Sequence, residues 1–278
     1  MKKSIGSMFL AFFFIIALLS GCATAFTSAT ETSVPTPTPW SLVAVGDSIA
    51  MNSPMVCSGC TAFVNRYAEA LIKATGHPVN VRNLSVAGLK IDGLLEELKP
   101  GAYRRDELAN ADIIIVSIGF NDAPWNRDDD PCDGPNGNKP DWSKYNETCA
   151  AAAVEVFRAK LGSVYDQIVA LREEKPTIFR TINRYNDWIG WTGENGETNP
   201  PEATNATHIV VDAWSAMICE AAQENGFTCA DIYHAFNGSD GLTPSGDLLA
   251  KDYTHPSDKG NEVIARVLTD LGFAPLAP

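Results

Sequence analysis

The chain has 278 residues, of which 45% are hydrophobic and 20% are charged, and its formal net charge is −13. This composition is typical of a globular protein with one or two domains and a large core. The excess of acidic residues excludes nucleic acid and anionic lipid surfaces as expected partners.

The first element in the chain is a predicted export signal. Lys2 and Lys3 precede the apolar stretch "MFLAFFFIIALL", which is short for a transmembrane helix and is followed by small residues. The tetrapeptide "LSGC" resembles the lipobox of bacterial lipoproteins, in which cleavage leaves Cys22 as the lipid-bearing first residue. We expect a signal peptide over residues 1–21 and an extracytoplasmic protein of the bacterial cell envelope, anchored by lipid or secreted. A simple signal peptide cut near "ATA" is the alternative.

A tether follows the predicted signal. Residues 22–39 are rich in Thr, Ser, Ala and Pro and lack apolar periodicity, and their Pro-alternating end favours polyproline II. The folded domain is therefore predicted over residues 40–278, with membrane contact only through the lipid anchor.

Strand-like and helix-like segments alternate from Trp40 onward. The predicted strands are "SLVAVG", "VNVRNLSV", "ADIIIVSIGF", "TIFRTINRY" and "TCADIYHAF". The predicted helices are "TAFVNRYAEALIKATGH", "IDGLLEELK", residues 149–175, residues 204–225 and "DKGNEVIARVLTDLG". Such alternation predicts an α/β domain with a parallel sheet covered by helices on both faces.

Two long loops interrupt this pattern after the third and fourth strands. Both would leave the carboxyl ends of strands, where α/β proteins bind their ligands. They carry five aromatic residues, namely Trp125, Trp142, Tyr145, Trp188 and Trp191. These rings either wall an acyl pocket or stack on a sugar, or they pack the loops onto the body of the domain.

The cysteines indicate disulfides. If Cys22 carries lipid, six others remain, and an even number in an oxidising compartment is typical of disulfide-bonded proteins. We expect neighbours in sequence to pair: Cys57 with Cys60, Cys132 with Cys149, and Cys219 with Cys229. A zinc or redox role for the first pair lacks a second Cys-x-x-Cys or a His pair.

Ser48 in "VAVGDSIAMNS" raises the question of nucleophilic catalysis. It lies just past the first strand, although Gly-Asp-Ser is also ordinary turn chemistry. Of the four histidines, His255 in "DYTHPSDKG" is the candidate base, since Pro256 favours an extended conformation there and Asp252 can accept from the imidazole. Structural roles are the default for the other three, which are His77, His208 and His234.

Two further positions can supply hydrogen-bond donors to an oxyanion. Gly88 in "NLSVAG" allows close approach of a backbone N–H, and Asn121 in "IGFND" carries an amide. The carboxyl ends of parallel strands meet at one sheet edge, so these residues can converge with Ser48 and His255. The α/β-hydrolase fold is disfavoured, because Ser48 lacks the Gly-x-Ser-x-Gly motif.

The four blocks around Ser48, Gly88, Asn121 and His255 resemble those of the SGNH, or GDSL-type, hydrolase family, and they occur in the family's order. The resemblance implies a three-layer, flavodoxin-like α/β/α fold with a five-stranded parallel sheet. It implies Ser48 as nucleophile, His255 as base and Asp252 as its orienting acid. The oxyanion hole would comprise the N–H groups of Ser48 and Gly88 and the amide of Asn121, with Asp47 in a structural role.

These residues predict a monomeric serine esterase for short-chain or carbohydrate-borne acyl groups, since no apolar lid for insoluble lipid stands out. There are two alternatives. One is a polysaccharide acyltransferase or deacetylase with the same site, and the other is a non-catalytic surface-binding lipoprotein. No metal or organic cofactor is expected. We interpret one acidic cluster as a solvated loop, with a structural calcium site as the alternative; it comprises Asp128, Asp129, Asp130 and Asp133.

Overall fold

Five parallel strands form a single sheet in the computed structural model, which describes residues 37–135, 139–173, 175–192 and 197–277. The strands are β1 (Trp40–Gly46), β2 (Val79–Asn83), β3 (Ile113–Ser117), β4 (Ile178–Ile182) and β5 (Thr228–Ala230). Their spatial order is β2-β1-β3-β4-β5, and each neighbouring pair is parallel. The predicted five-stranded parallel sheet is confirmed.

Helices cover both faces of this sheet. They are α1 (Ser48–Met51), α2 (Phe63–Thr75), α3 (Ile91–Glu97), α4 (Tyr103–Ala109), α5 (Glu147–Leu171), α6 (Pro201–Glu224), α7 (Ile232–Asn237) and α8 (Asp258–Asp270). Helices α2 and α8 pack on one face, and α3 to α6 pack on the other. The structure is therefore the three-layer α/β/α fold that the resemblance implied.

The central strands have their side chains buried on both faces. In β1, Leu42 and Ala44 pack toward α2 and α8, whereas Val43 and Val45 pack toward the opposite helical layer. This two-sided burial explains why β1 and β3 appear in the sequence as continuous apolar runs without polar alternation. Burial of each large aliphatic side chain contributes about 1.5–3 kcal/mol, so the centre of the sheet is a rigid base for the loops at its edge.

The structure corrects one predicted strand and adds a helix. Only the first part of "TCADIYHAF" is strand, since α7 begins at Ile232. The Asn183 side-chain oxygen accepts from the N–H groups of Ile232 and Tyr233, at 2.8 and 3.0 Å, and Asp231 caps the same turn. This cap from a distant residue favours the helix despite the β-branched and aromatic side chains. The short helices α1 and α4 were not predicted either.

The predicted signal peptide over 1–21, Cys22 and the tether up to residue 36 lie outside the described residues. At the end of the tether, the Thr38 carbonyl lies 2.8 Å from Nε2 of His77, whose ring stacks on Trp40. None of the helices within the described ranges combines the length and apolar character needed to cross a bilayer.

Candidate active site

Ser48 begins α1 directly after β1. Gly46 makes this tight transition possible, because its φ is +150° and a Cβ there would lie 1.8 Å from the Ser117 carbonyl oxygen of the adjacent strand. The Asp47 side chain then caps the helix by accepting from the Ile49 N–H at 3.0 Å. The sequence thus places Ser48 at the carboxyl edge of the sheet.

The loop after β2 runs alongside this serine. The Val86 N–H donates to the Gly46 carbonyl at 2.9 Å, and the Leu89 N–H donates to the Val86 carbonyl at 3.1 Å. Gly88 lies between them with φ at +75°. Within the part of the chain that the structure describes, no hydrogen bond is formed by the N–H of Ser48 or of Gly88. Both N–H groups are therefore available to a ligand.

Asn121 occupies the turn after β3, and this turn is fixed to both neighbouring loops. The N–H of Phe120 donates to Asp47 at 3.3 Å, and the Asn121 amide donates one hydrogen to the Leu89 carbonyl at 3.1 Å. Asp122 accepts from the Ile91 N–H at 3.1 Å, which holds the start of α3 against the same turn. Because an amide has two hydrogens, Asn121 keeps a second donor.

His255 and Asp252 form a hydrogen-bonded pair on the loop before α8. The Nδ1 of His255 lies 2.6 Å from Oδ2 of Asp252, whose Oδ1 accepts from the N–H groups of Thr254 and His255 at 3.2 and 3.1 Å. This arrangement assigns the imidazole proton to Nδ1 and leaves Nε2 as an acceptor. Nε2 is buried and has no hydrogen-bond partner within the described residues.

A cleft of about 250 Å³ brings most of the predicted residues together. Ser48, Asn121 and His255 line it, together with Ile49, Phe120, Trp125, Asn126, Arg184, Asp187, Trp188 and Thr254. Asp252 and Gly88 are not among the lining residues: Asp252 is hydrogen-bonded to His255, and Gly88 precedes Leu89, whose carbonyl accepts from Asn121. Nε2 of His255 forms no hydrogen bond with Ser48.

Burial changes the pKa values of the carboxylates around the cleft. It raises the pKa of Asp47 to about 7 and that of Asp122 to about 6, although backbone N–H donors partly offset the effect in each case. Burial also opposes ionisation of Asp252, but hydrogen bonds from His255 and Thr254 outweigh it and hold the pKa of Asp252 below its ordinary value. Asp252 is thus anionic at neutral pH beside the imidazole.

The five loop aromatics divide between the two interpretations that the sequence left open. Trp125 and Trp188 line the cleft, whereas Trp142 and Tyr145 pack against Trp125 in a separate apolar cluster. Trp191 lines a neighbouring pocket. The aromatic loops therefore both shape the cleft and pack onto the domain.

Arg184 and Asp187 line the cleft but were not predicted from the sequence. They follow β4 in "NRYNDW", at the same sheet edge as the other loops. The Arg184 guanidinium is buried, donates to the Phe120 carbonyl at 2.9 Å and pairs with Asp187 at 3.2 Å. It also lies 4.6 Å from the centre of the Phe120 ring. Arg184 thus contacts the turn that carries Asn121.

The remaining histidines lie away from the cleft. The Nδ1 of His208 contacts the Tyr233 hydroxyl at 3.2 Å. His234, which the sequence placed in or beside a strand, lies in α7, and its Nδ1 is 2.6 Å from Asp231. This second Asp-x-x-His pair has the local geometry of Asp252 and His255 without lining the cleft.

The acidic cluster is only partly solvated, which corrects the sequence interpretation. Asp130 is buried, where it accepts from the Tyr145 hydroxyl, and the Asp133 side chain is buried beside Lys144. Asp128 and Asp129 are exposed. Among the described residues, no group of three or more His, Cys, Asp or Glu side chains is arranged to hold a metal ion.

The three predicted disulfides are confirmed. They join Cys57 with Cys60, Cys132 with Cys149, and Cys219 with Cys229. Cys132–Cys149 connects the long loop after β3 to the first turn of α5, so it restrains the segment that carries Trp142 and Tyr145.

This fold, with a serine after the first strand and an Asp-x-x-His loop before the last helix, defines the SGNH class of hydrolase folds. A family model described as the GDSL-like lipase/acylhydrolase family matches residues 44–263. The chain belongs to this family. Comparison with curated proteins found no match.

Solved structures of low sequence identity share the fold. A lipase from a goat rumen metagenome is 17% identical, with a TM-score of 0.66 over 85% of this chain and 99% of that chain. An acetylxylan esterase from Geobacillus stearothermophilus is 18% identical, with a TM-score of 0.53 over 86% and 96%. A lipase/acylhydrolase from Enterococcus faecalis is 18% identical, with a TM-score of 0.51 over 84% and 94%.

The raised pKa of Asp47 predicts a pH-dependent difference in stability between the wild type and Asp47→Asn. The folded-state pKa lies above the unfolded value of 3.8, so the stabilisation from the protonated form is complete below 3.8 and is lost as the pH rises through about 7. In that window the wild type loses about 1.4 kcal/mol per pH unit relative to the neutral amide. Urea unfolding at several pH values measures the difference, and parallel stability curves would contradict it.

Proposed function

We propose that the protein is an esterase that hydrolyses carboxylic esters through an acyl intermediate on Ser48. The observation that carries the proposal is Nε2 of His255, which has no hydrogen-bond partner among the described residues. His255 lines the same cleft as Ser48, and Asp252 holds its Nδ1. A base oriented in this way is what a serine hydroxyl needs to become a nucleophile.

The chemistry uses groups of this chain alone. Nε2 of His255 takes the proton from Ser48 while Oγ attacks the ester carbonyl, and the imidazolium that forms is stabilised by the Asp252 carboxylate. The N–H groups of Ser48 and Gly88 and the second amide hydrogen of Asn121 donate to the oxyanion. The alcohol leaves with the proton from His255. Water, deprotonated by the same imidazole, then releases the carboxylic acid and restores Ser48.

The size and lining of the cleft favour short acyl groups. Its volume of about 250 Å³ is at or below the lower end of the range for ligand pockets, and it contains the buried Arg184–Asp187 pair. A long alkyl chain placed here would remove polar groups from water without replacing their hydrogen bonds. Esters of acetate and similar acids, including those borne by carbohydrates, are the substrates that we propose.

We also propose that the enzyme acts outside the cytoplasm as a monomer, either anchored through Cys22 or secreted. The three disulfides support an oxidising compartment, because such bonds are rare in the reducing cytosol.

Hydrolysis of 4-nitrophenyl acetate tests the proposed reaction. We expect the wild type to turn over this ester and Ser48→Ala to lose nearly all of its kcat. Ser163→Ala is the matched control, because Ser163 is an exposed serine on α5 outside the cleft. The proposal is wrong if purified, folded wild type shows no turnover or if Ser48→Ala retains the parent rate.

A further inference from the structure

A second pocket adjoins the proposed catalytic cleft. Its volume is about 260 Å³, and it is lined by Asp187, Trp188, Trp191, Asn199, Tyr253 and Thr254. We call it the aromatic pocket. Three of these residues, Asp187, Trp188 and Thr254, also line the cleft that holds Ser48. The two spaces are therefore adjacent, and a ligand that occupies both is larger than an acyl group.

The aromatic walls of this pocket are held by surrounding contacts. Trp188 packs edge-on against Trp142 with ring centres 5.0 Å apart, and Trp191 meets Tyr253 edge-on at 6.2 Å. The Trp188 carbonyl accepts from the Asn199 amide at 2.9 Å and from the Trp191 N–H at 3.3 Å. Thr192, next to Trp191, forms an antiparallel β-bridge with Thr198. The rings are thus preorganised.

Polar groups lie at the edge of these rings. Oδ1 of Asp187 accepts from Arg184, whereas Oδ2 of Asp187 and the Thr254 and Tyr253 hydroxyls make no hydrogen bond to any described residue. Arg184 balances the charge of Asp187, and the chain as a whole is strongly acidic. The pocket therefore combines apolar ring faces with polar groups that can bond a ligand. It has no excess of positive charge that would favour an anionic ligand.

We propose that the aromatic pocket binds an uncharged pyranose ring that belongs to the alcohol portion of the ester substrate. A pyranose presents an apolar C–H face that packs on an aromatic ring, while its hydroxyls at the rim pair with groups such as Asp187 and Thr254. An alkyl chain in the same place would leave those groups buried and unpaired. This inference rests on the proposed esterase function and narrows its substrate to esters of neutral oligosaccharides.

Tyr253 and Thr254 connect the pocket to the proposed catalytic base. Both residues lie between Asp252 and His255 in sequence, and Tyr253 has a φ of +58° that is rare for a residue with a side chain. Its ring faces Trp191, while the Tyr185 hydroxyl donates to the Thr254 carbonyl at 2.6 Å. The Tyr253 wall of the aromatic pocket therefore belongs to the same loop as the imidazole of His255.

Steady-state kinetics on two substrates test the proposal. We expect Trp191→Ala to raise KM for acetylated xylotetraose by about tenfold more than KM for 4-nitrophenyl acetate, because only the first ester reaches the pocket. Trp191→Phe keeps an aromatic face and should restore most of the affinity. Tyr103→Ala, which removes an exposed aromatic ring on α4 outside the pocket, is the control.

The outcomes separate this inference from the proposed function. If 4-nitrophenyl acetate is hydrolysed but Trp191→Ala changes KM for both esters equally, the pocket assignment is wrong. It is also wrong if the selective loss appears instead with a long-chain nitrophenyl ester. Calorimetric titration of Ser48→Ala with unesterified xylotetraose tests the pocket without turnover. Binding that weakens in the double variant with Trp191→Ala supports the assignment even if no hydrolysis is found, and absence of binding contradicts it.

Discussion

Replacement of His255 by alanine is expected to lower kcat for ester hydrolysis by about 10,000-fold, whereas replacement of His234 should change it by no more than about twofold. The two histidines share an Asp three residues earlier and the same 2.6 Å contact between Nδ1 and the carboxylate. Only His255 lines the cleft that contains Ser48. The comparison therefore separates the effect of a position in the Ser48 cleft from the effect of the Asp–His hydrogen bond itself.

The measurement is kcat on 4-nitrophenyl acetate for both variants, together with their thermal unfolding midpoints. His255→Ala should keep a folded state, because the one side-chain hydrogen bond that His255 makes to a described residue is with Asp252, which is exposed. Equal losses in the two variants, or a near-parental rate for His255→Ala, would exclude His255 as the base.

Loss of the Asn121 amide is the second large effect that we expect. Asn121→Ala should lower kcat by roughly 100- to 1,000-fold with little change in KM, because the amide acts on charge that develops only in the transition state. Its first hydrogen is committed to the Leu89 carbonyl, so the second is the one available to the oxyanion.

Asn110→Ala provides the control, since Asn110 is an exposed asparagine at the end of α4 whose side-chain amide donates to the Asp106 carbonyl. Asn121→Asp removes the donor and adds negative charge beside the oxyanion, so it should lose at least as much kcat as Asn121→Ala. A rise in KM with unchanged kcat in Asn121→Ala would assign the amide to ground-state binding and contradict the oxyanion role.

The residues of the candidate site could be predicted from the sequence because the order of strands and loops indicates which loops lie at the same edge of a parallel sheet. In a parallel sheet the carboxyl ends of the strands lie at one edge, so Ser48, Gly88 and Asn121 were expected to approach each other once three strands had been recognised. Pro256 and Asp252 similarly marked His255 as different from the other histidines.

Arg184 and Asp187 could not be found in this way. A buried ion pair has no local sequence pattern, and its role depends on Phe120, which lies some sixty residues earlier in the chain. The same reason applies to α7, where the capping oxygen comes from Asn183, directly after β4. Sequence patterns report local preference, and these features depend on tertiary contacts.

The aromatic loops show an intermediate case. Their composition predicted that they would either shape a cleft or pack onto the domain, but the choice depends on which rings are covered. Trp142 packs edge-on against Trp188, and Trp188 lines both the cleft and the aromatic pocket.

Covalent labelling of the wild type by a fluorophosphonate tests the central claim most directly. We expect a single phosphonyl adduct, formed with loss of fluoride, that maps to Ser48 by peptide mass spectrometry. The rate of labelling should fall by at least about 100-fold in His255→Ala, because the serine hydroxyl attacks phosphorus efficiently only when the imidazole takes its proton. Folded wild-type protein that takes up no label, or takes it up at another residue, would contradict the assignment of Ser48 as the nucleophile.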